Sequence, residues 1–283
     1  MAVKATVLVE NSVFGNAGAL AEHGWSVWLE TPGGSYLFDT GQGNTLRNNA
    51  GVFGVPLAEA RAVLLSHHHI DHPGGLLDAV GIIRRGSGRE RVPVHAHPDL
   101  FKPSFSERNG KLGFIGLPHT RPALEYAGAD FRLETGWQEI APGMCMTGEV
   151  PRRHAFELGD QNMKHCDEAG RIVVDPVRDD QTVVFDLPAG LFVVLGCAHA
   201  GLINILDYIQ AQTGKTHFHT VMGGTHLGGV GEEQVEQTLA ALRDYDIAHL
   251  GVSHCTGQKV GARLAHEYGD RFFFCSVGKV VEV

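Results

Sequence analysis

The segment Ala62-Val63-Leu64-Leu65-Ser66-His67-His68-His69-Ile70-Asp71-His72-Pro73-Gly74-Gly75 decides how this chain folds. Its apolar residues read as a buried strand that ends at Ser66. In an extended chain, residues two apart share a side, so His67 and His69 point together while His68 points away. Asp71 and His72 follow where the chain turns toward a helix; Pro73 suits the first helical position and the two glycines ease the turn. The spacing His-x-His-x-Asp-His therefore sets two ligand pairs side by side. Neutral imidazole and carboxylate are the borderline donors that zinc prefers, and the pattern points to a two-metal site. A His-rich surface turn is the competing reading, and the apolar strand running straight into the cluster argues against it.

Around this segment histidine is dense: 6 of the 17 lie between His67 and His97. Short apolar or β-branched runs bounded by Gly and Pro predict strands at 6–9, 26–29, 35–38, 62–65, 92–95, 182–186, 191–195, 220–222, 247–252 and 271–277. Helical periodicity predicts helices over 201–210, 232–243 and 258–268. Strands first, then strand and helix mixed, suggest two sheets packed together with helices outside them. The polar, weakly periodic stretches 103–125 and 151–180 read as long loops covering a site in a single domain spanning 1–283.

Composition excludes several classes. With 283 residues, 43% hydrophobic and 19% charged, the chain can bury a core and is not disordered. No apolar run reaches membrane-spanning length. A net charge of -9 disfavours nucleic acid as a partner. The N-terminal stretch lacks an apolar export signal, which predicts a cytoplasmic protein. The five cysteines contain no CxxC and are odd in number, consistent with reduced thiols. The partner expected is a small molecule, and the chain could form a homo-oligomer.

The sequence is similar to the metallo-β-lactamase superfamily, whose metal signature is His-x-His-x-Asp-His. Leu37-Phe38-Asp39-Thr40-Gly41 resembles that family's strand-end Asp-Thr-Gly. Within the superfamily the chain resembles the branch of 7,8-dihydropterin-6-methyl-4-(β-D-ribofuranosyl)aminobenzene-5'-phosphate synthases. The motifs that carry this are Ser66-His67-His68-His69, Glu22-His23-Gly24-Trp25-Ser26, Gly148-Glu149-Val150-Pro151-Arg152, Asp179-Asp180-Gln181, Gly196-Cys197-Ala198-His199-Ala200-Gly201, Gly223-Gly224-Thr225-His226-Leu227 and Ser253-His254-Cys255-Thr256-Gly257. The resemblance implies an α/β fold, the αββα four-layer sandwich of the metallo-β-lactamase type. It also implies two divalent metal ions, zinc first, with iron or manganese as alternatives.

The expected ligands are His67, His69, Asp71 and His72, joined by His199 and His254, which stand just after predicted strands where active sites of layered α/β folds gather. Hydrolases of the superfamily place a bridging aspartate after the strand 191–195, where this chain offers Cys197 and His199. Asp39 and Cys197 are expected to support the ligands without binding metal. Asp71 and His226 are the catalytic candidates, with His226 open between ligand and substrate contact. Arg152, Arg153, His154, His226 and Thr256 are expected to meet a phosphorylated substrate, the arginines through bidentate contacts. Three functions compete: a transferase of methanopterin biosynthesis that releases diphosphate, as the branch implies; a hydrolase of a phosphoester, lactone or thioester, with Asp71 orienting the attacking water; and a non-catalytic metal sensor.

Overall fold

The computed structural model describes residues 2–15 and 17–283. The chain divides into two compact units, each with its own sheet and core. The first unit runs to Thr135 and includes Asn162–Asp175 and Ser276–Glu282; the second comprises Gly136–Gln161 and Pro176–Cys275.

In the first unit, strands Lys4–Val9, Ser26–Thr31 and Gly34–Phe38 form an antiparallel meander. Val63–Leu64, Val92–Ala96 and Ala129–Leu133 then continue the same sheet in parallel. Helix Leu76–Ser87 buries Leu76, Ala79, Val80 and Ile83, an i, i+3, i+4, i+7 stripe that seats it on the core around Trp28, Leu37 and Val94. Its end is set by Gly88, whose φ of 69° is the left-handed conformation that glycine adopts without a Cβ penalty. Pro73 is not the helix start expected from the sequence. It precedes the helix by three residues and bridges Gly41, because Gly74 and Gly75 are needed for close backbone approach. A Cβ on Gly75 would stand 2.6 Å from the Thr40 carbonyl oxygen.

In the second unit, Gly190–Val194, His217–Gly224, Asp246–Ser253 and Phe272–Phe274 run parallel, and antiparallel neighbours extend the sheet from Val183–Leu187. Helices Leu202–Thr213, Glu232–Leu242 and Gln258–Tyr268 connect or follow these strands, close to the predicted bounds. Parallel strands need such crossovers, and their apolar runs (Leu191, Val193, Val221, Leu250, Val252) are buried beneath the helices.

The segments expected to be structureless loops are largely structured. Ser104–Arg108, Lys111–Phe114, Met163–Cys166 and Ile172–Val174 form a four-stranded antiparallel sheet within the first unit, and Arg121–Ala127 is helical. Residues 151–161 remain an extended strap, and shorter connections such as 115–120 and 175–180 stay irregular. The strands are short and rich in charge, so their alternation is faint in sequence. Pairing Phe105 with Lys164 joins residues far apart in the chain.

Asp175, at the end of this small sheet, is fully buried and holds it to the metal-motif loop. It accepts from Lys102 Nζ at 2.8 Å and Ser104 Oγ at 3.3 Å, and lies 3.5 Å from His68 Nε2. His68 thus reaches the buried Asp175 while its ring also lies 4.6 Å from that of His69. Burial opposes charge on Asp175, but the hydrogen bonds from His68 and Lys102 outweigh it and hold the carboxyl well below the usual carboxylate range. A depressed folded pKa stabilises above the unfolded value of about 4 and is lost as pH falls below it. Asp175→Asn should cost about 1–3 kcal/mol at pH 7, because a buried amide cannot accept from Lys102, Ser104 and His68 together. The gap to wild type in urea unfolding should narrow at pH 3; a pH-independent gap would count against the assignment.

Candidate metal centre

Asp39 organises the motif loop. It closes strand Gly34–Phe38 with φ at 55°, a left-handed conformation that costs a non-glycine residue energy and persists where surrounding contacts impose it. Its carboxylate accepts from Ser66 N at 2.8 Å, Ser66 Oγ at 2.7 Å and His72 Nδ1 at 2.7 Å. Ser66 Oγ also accepts from His67 Nδ1 at 2.9 Å. This network assigns the Nδ1 proton to both His67 and His72, leaving their Nε2 atoms as metal-binding lone pairs. His67 Nε2 and His69 Nδ1 stand 3.2 Å apart. Two nitrogens bound tetrahedrally at about 2.0–2.1 Å are about 3.3 Å apart, so the pair fits a zinc-type ion. Asp71 Oδ2 lies 3.1 Å from Nε2 of the exposed His23, a partner that sequence reading quoted in a motif without giving it a role.

The second unit carries its own donors. His199, His226 and His254 each follow a parallel strand, so all three stand at the C-terminal edge of that sheet. The rings of His199 and His226 are 4.1 Å apart. Cys197 lies among the donor atoms of this unit rather than behind them: its sulfur is within 4.8 Å of ligand atoms of His199 and His226, and equally of His254 and Cys255. Ala198, His226 and His254 all adopt positive φ, strain concentrated where the donors are displayed.

His226 and Cys255 lie side by side, an arrangement that the sequence did not reveal. Burial lowers the His226 pKa, but Asp160, 3.5 Å from its Nε2, and the Cys255 sulfur push it up to about 10. Burial raises the Cys255 thiol, but contacts with Cys197 and His226 reverse this and bring it well below its ordinary value. Asp180 is buried beside the His199 loop, accepts from Ala200 N at 3.3 Å, and is pushed up to about 7 mainly by burial.

Several residues expected to contact substrate also make bonds within the protein. The Arg152 guanidinium donates to the carbonyls of His199, at 2.8 Å, and of Pro176. Arg153 and His154 are anchored through their backbone N–H groups to Asn204 Oδ1, and His154 Nε2 lies 2.8 Å from Asp207 Oδ2. Buried Glu157 accepts from Ile203 N and Asn204 N, capping helix Leu202–Thr213 from a distant segment. The strap 151–161 is thus pinned along its length. Thr256 is buried, its hydroxyl bonded to Thr225 N and Thr225 Oγ1. A cavity of about 320 Å³ opens beside Ala200, with Arg152 and Arg178 among its walls, and Arg178 is a residue the sequence did not single out.

Asp39→Asn should weaken metal binding by about 10–100-fold without abolishing it, measured by competition with a chelator, since the amide cannot accept all three hydrogen bonds. Asp160→Asn should lower the His226 pKa from about 10 toward its ordinary value in metal-free protein, followed by proton NMR titration. An unmoved titration would remove Asp160 as the cause.

A family model described as the metallo-β-lactamase superfamily matches residues 20–145. The chain is 26% identical to the 7,8-dihydropterin-6-methyl-4-(β-D-ribofuranosyl)-aminobenzene-5'-phosphate synthase of Methanocaldococcus jannaschii, over 99% of this chain and 96% of that one. It superimposes on a crystal structure described as a metal-dependent hydrolase of the β-lactamase superfamily with a TM-score of 0.82 and 25% identity, each chain covered to 99%. Zinc-bound PqqB from Methylobacterium extorquens shares the fold alone, at 13% identity and a TM-score of 0.55, with 99% of this chain and 100% of that one covered. The match over residues 20–145 and a fold shared along the whole length make this chain similar to metallo-β-lactamase superfamily proteins.

Proposed function

We propose that this protein is a divalent-metal-dependent enzyme that joins a dihydropterin methyl diphosphate to a ribosylaminobenzene phosphate and releases diphosphate. The observation that carries metal dependence is the clamp of Asp39 and Ser66 on Nδ1 of His67 and His72, which turns the Nε2 side of each ring toward the neighbouring donors. Similarity to the methanogen synthase along nearly the full length of both chains supports the reaction class. In this reading two ions, zinc first, are held by His67, His69, Asp71, His72, His199 and His254. A bound divalent ion would neutralise charge building on the leaving diphosphate, or in a hydrolase would activate water.

The chain's own residues supply the rest. His226, 3.5 Å from Asp160, stands where it could give a proton to a leaving oxygen. Asp71, steadied by His23, orients the attacking group. Arg178 and the backbone-anchored Arg152 give the cavity beside Ala200 a cationic wall for a phosphate, with Arg153 on the adjoining strap.

A second reading, a metal-dependent hydrolase, is favoured by the similarity at a TM-score of 0.82 to a structure so described. Metal-loaded protein supplied with both substrates should release diphosphate only when the ribosylaminobenzene phosphate is present. Turnover of a phosphoester, lactone or thioester without that acceptor would instead establish the hydrolase. Arg178→Ala should raise KM for phosphorylated substrate by about 10–150-fold, the loss of one charge-assisted contact, while metal content is unchanged. An unaltered KM would remove the phosphate from that cavity.

A further inference from the structure

We propose that Cys197 and Cys255 are metal ligands, forming with His254 a two-sulfur, one-nitrogen site at the C-terminal edge of the parallel strands in the second unit. The inference rests on the metal-dependent reading above and specifies part of its donor set. The two sulfurs and a His254 ring nitrogen lie within 4.8 Å of one another. Cys197 follows strand Gly190–Val194, while His254 and Cys255 follow Asp246–Ser253, two places away in the sheet.

The intervening strand His217–Gly224 makes room for them. A Cβ on Gly224 would stand 2.6 Å from Cys255 Sγ and 3.2 Å from Cys197 Cα, so only glycine lets the two sulfur-bearing turns close over this strand end. The backbone N–H of His226 donates to Cys255 Sγ at 3.2 Å, and the Cys255 thiol donates to the Cys197 carbonyl oxygen at 3.6 Å, which ties the two sulfur-bearing turns together. The φ of 50° at His254 turns the chain sharply at the ligand itself. Of the other cysteines, Cys145 lies within strand Met144–Met146, Cys166 is exposed and Cys275 is buried beside Val252 on strand Asp246–Ser253 itself.

The donor chemistry names the metal class. Thiolates select thiophilic ions such as zinc over magnesium, calcium or manganese, and two cysteines with one histidine leave a fourth tetrahedral position open to substrate. On binding, each sulfur forms a bond to the ion and its thiol proton passes to solvent, with no change in oxidation state.

The test uses the full chain, stripped with a chelator under reducing conditions and reloaded with cobalt(II) or zinc. Cobalt-loaded wild type should show a sulfur-to-cobalt charge-transfer band in the near ultraviolet. The band should weaken in Cys197→Ser and in Cys255→Ser and vanish in the double variant, while Cys166→Ser keeps it. X-ray absorption of the zinc-loaded wild type should show sulfur at about 2.3 Å, which decides the matter even if the variants fail to fold. Bound cobalt without the band, and zinc with only nitrogen and oxygen neighbours, would overturn the sulfur ligands and leave the metal-dependent reading standing. A Cys197–Cys255 disulfide in the reduced preparation would also overturn them. Failure to bind either metal would overturn both.

Discussion

The buried carboxylate of Asp39 is the contact on which the metal-motif loop depends. Three donors converge on it, two from Ser66 and one from His72, and through Ser66 its influence reaches His67. A carboxylate buried to this degree is tolerable only when its oxygens are satisfied, and here the donors that satisfy it fix which nitrogen each histidine presents. The same contacts tie the end of strand Gly34–Phe38 to the turn leaving Val63–Leu64. Secondary structure, tautomer and ligand geometry are thus one problem with one solution.

The second unit solves a similar problem by topology. Parallel strands joined by helices bring their C-terminal ends to one edge, so residues 197–199, 224–226 and 254–255 are neighbours despite long intervals in sequence. The cost appears in the backbone: of six non-glycine residues with positive φ among those described, three lie in these turns and a fourth is Asp39. Strain is therefore concentrated at the donor-bearing turns, held by well-packed strands on one side and by Glu157, Asn204 and Arg152 on the other.

The electrostatics divide the histidines by task. His72 and His67 have one nitrogen occupied by the Asp39–Ser66 network, His68 serves Asp175, and His226 faces Asp160. Identical side chains acquire different chemistry because burial makes each imidazole answer to its nearest carboxylate, hydroxyl or sulfur. The strap 151–161, its arginine and histidine turned to backbone and carboxylate partners, is scaffolding for the His199 turn as much as a wall for substrate.

What the sequence determined by itself was whatever local periodicity encodes. The strands and helices of the second unit fell near their predicted bounds, whereas the simple alternation expected of His67, His68 and His69 did not hold, since the His68 and His69 rings also meet at 4.6 Å. Asp39 was legible through its strand-end motif. Tertiary structure alone decided the rest: the small sheet pairing Phe105 with Lys164, the diversion of Arg152 and Thr256 to structural bonds, the Asp160–His226 pair, and the approach of Cys197 to Cys255. Each joins residues tens of positions apart. Spacing along a chain reports which side of an element a residue faces, whereas which distant residue it meets depends on how the chain closes, and no local period carries that information.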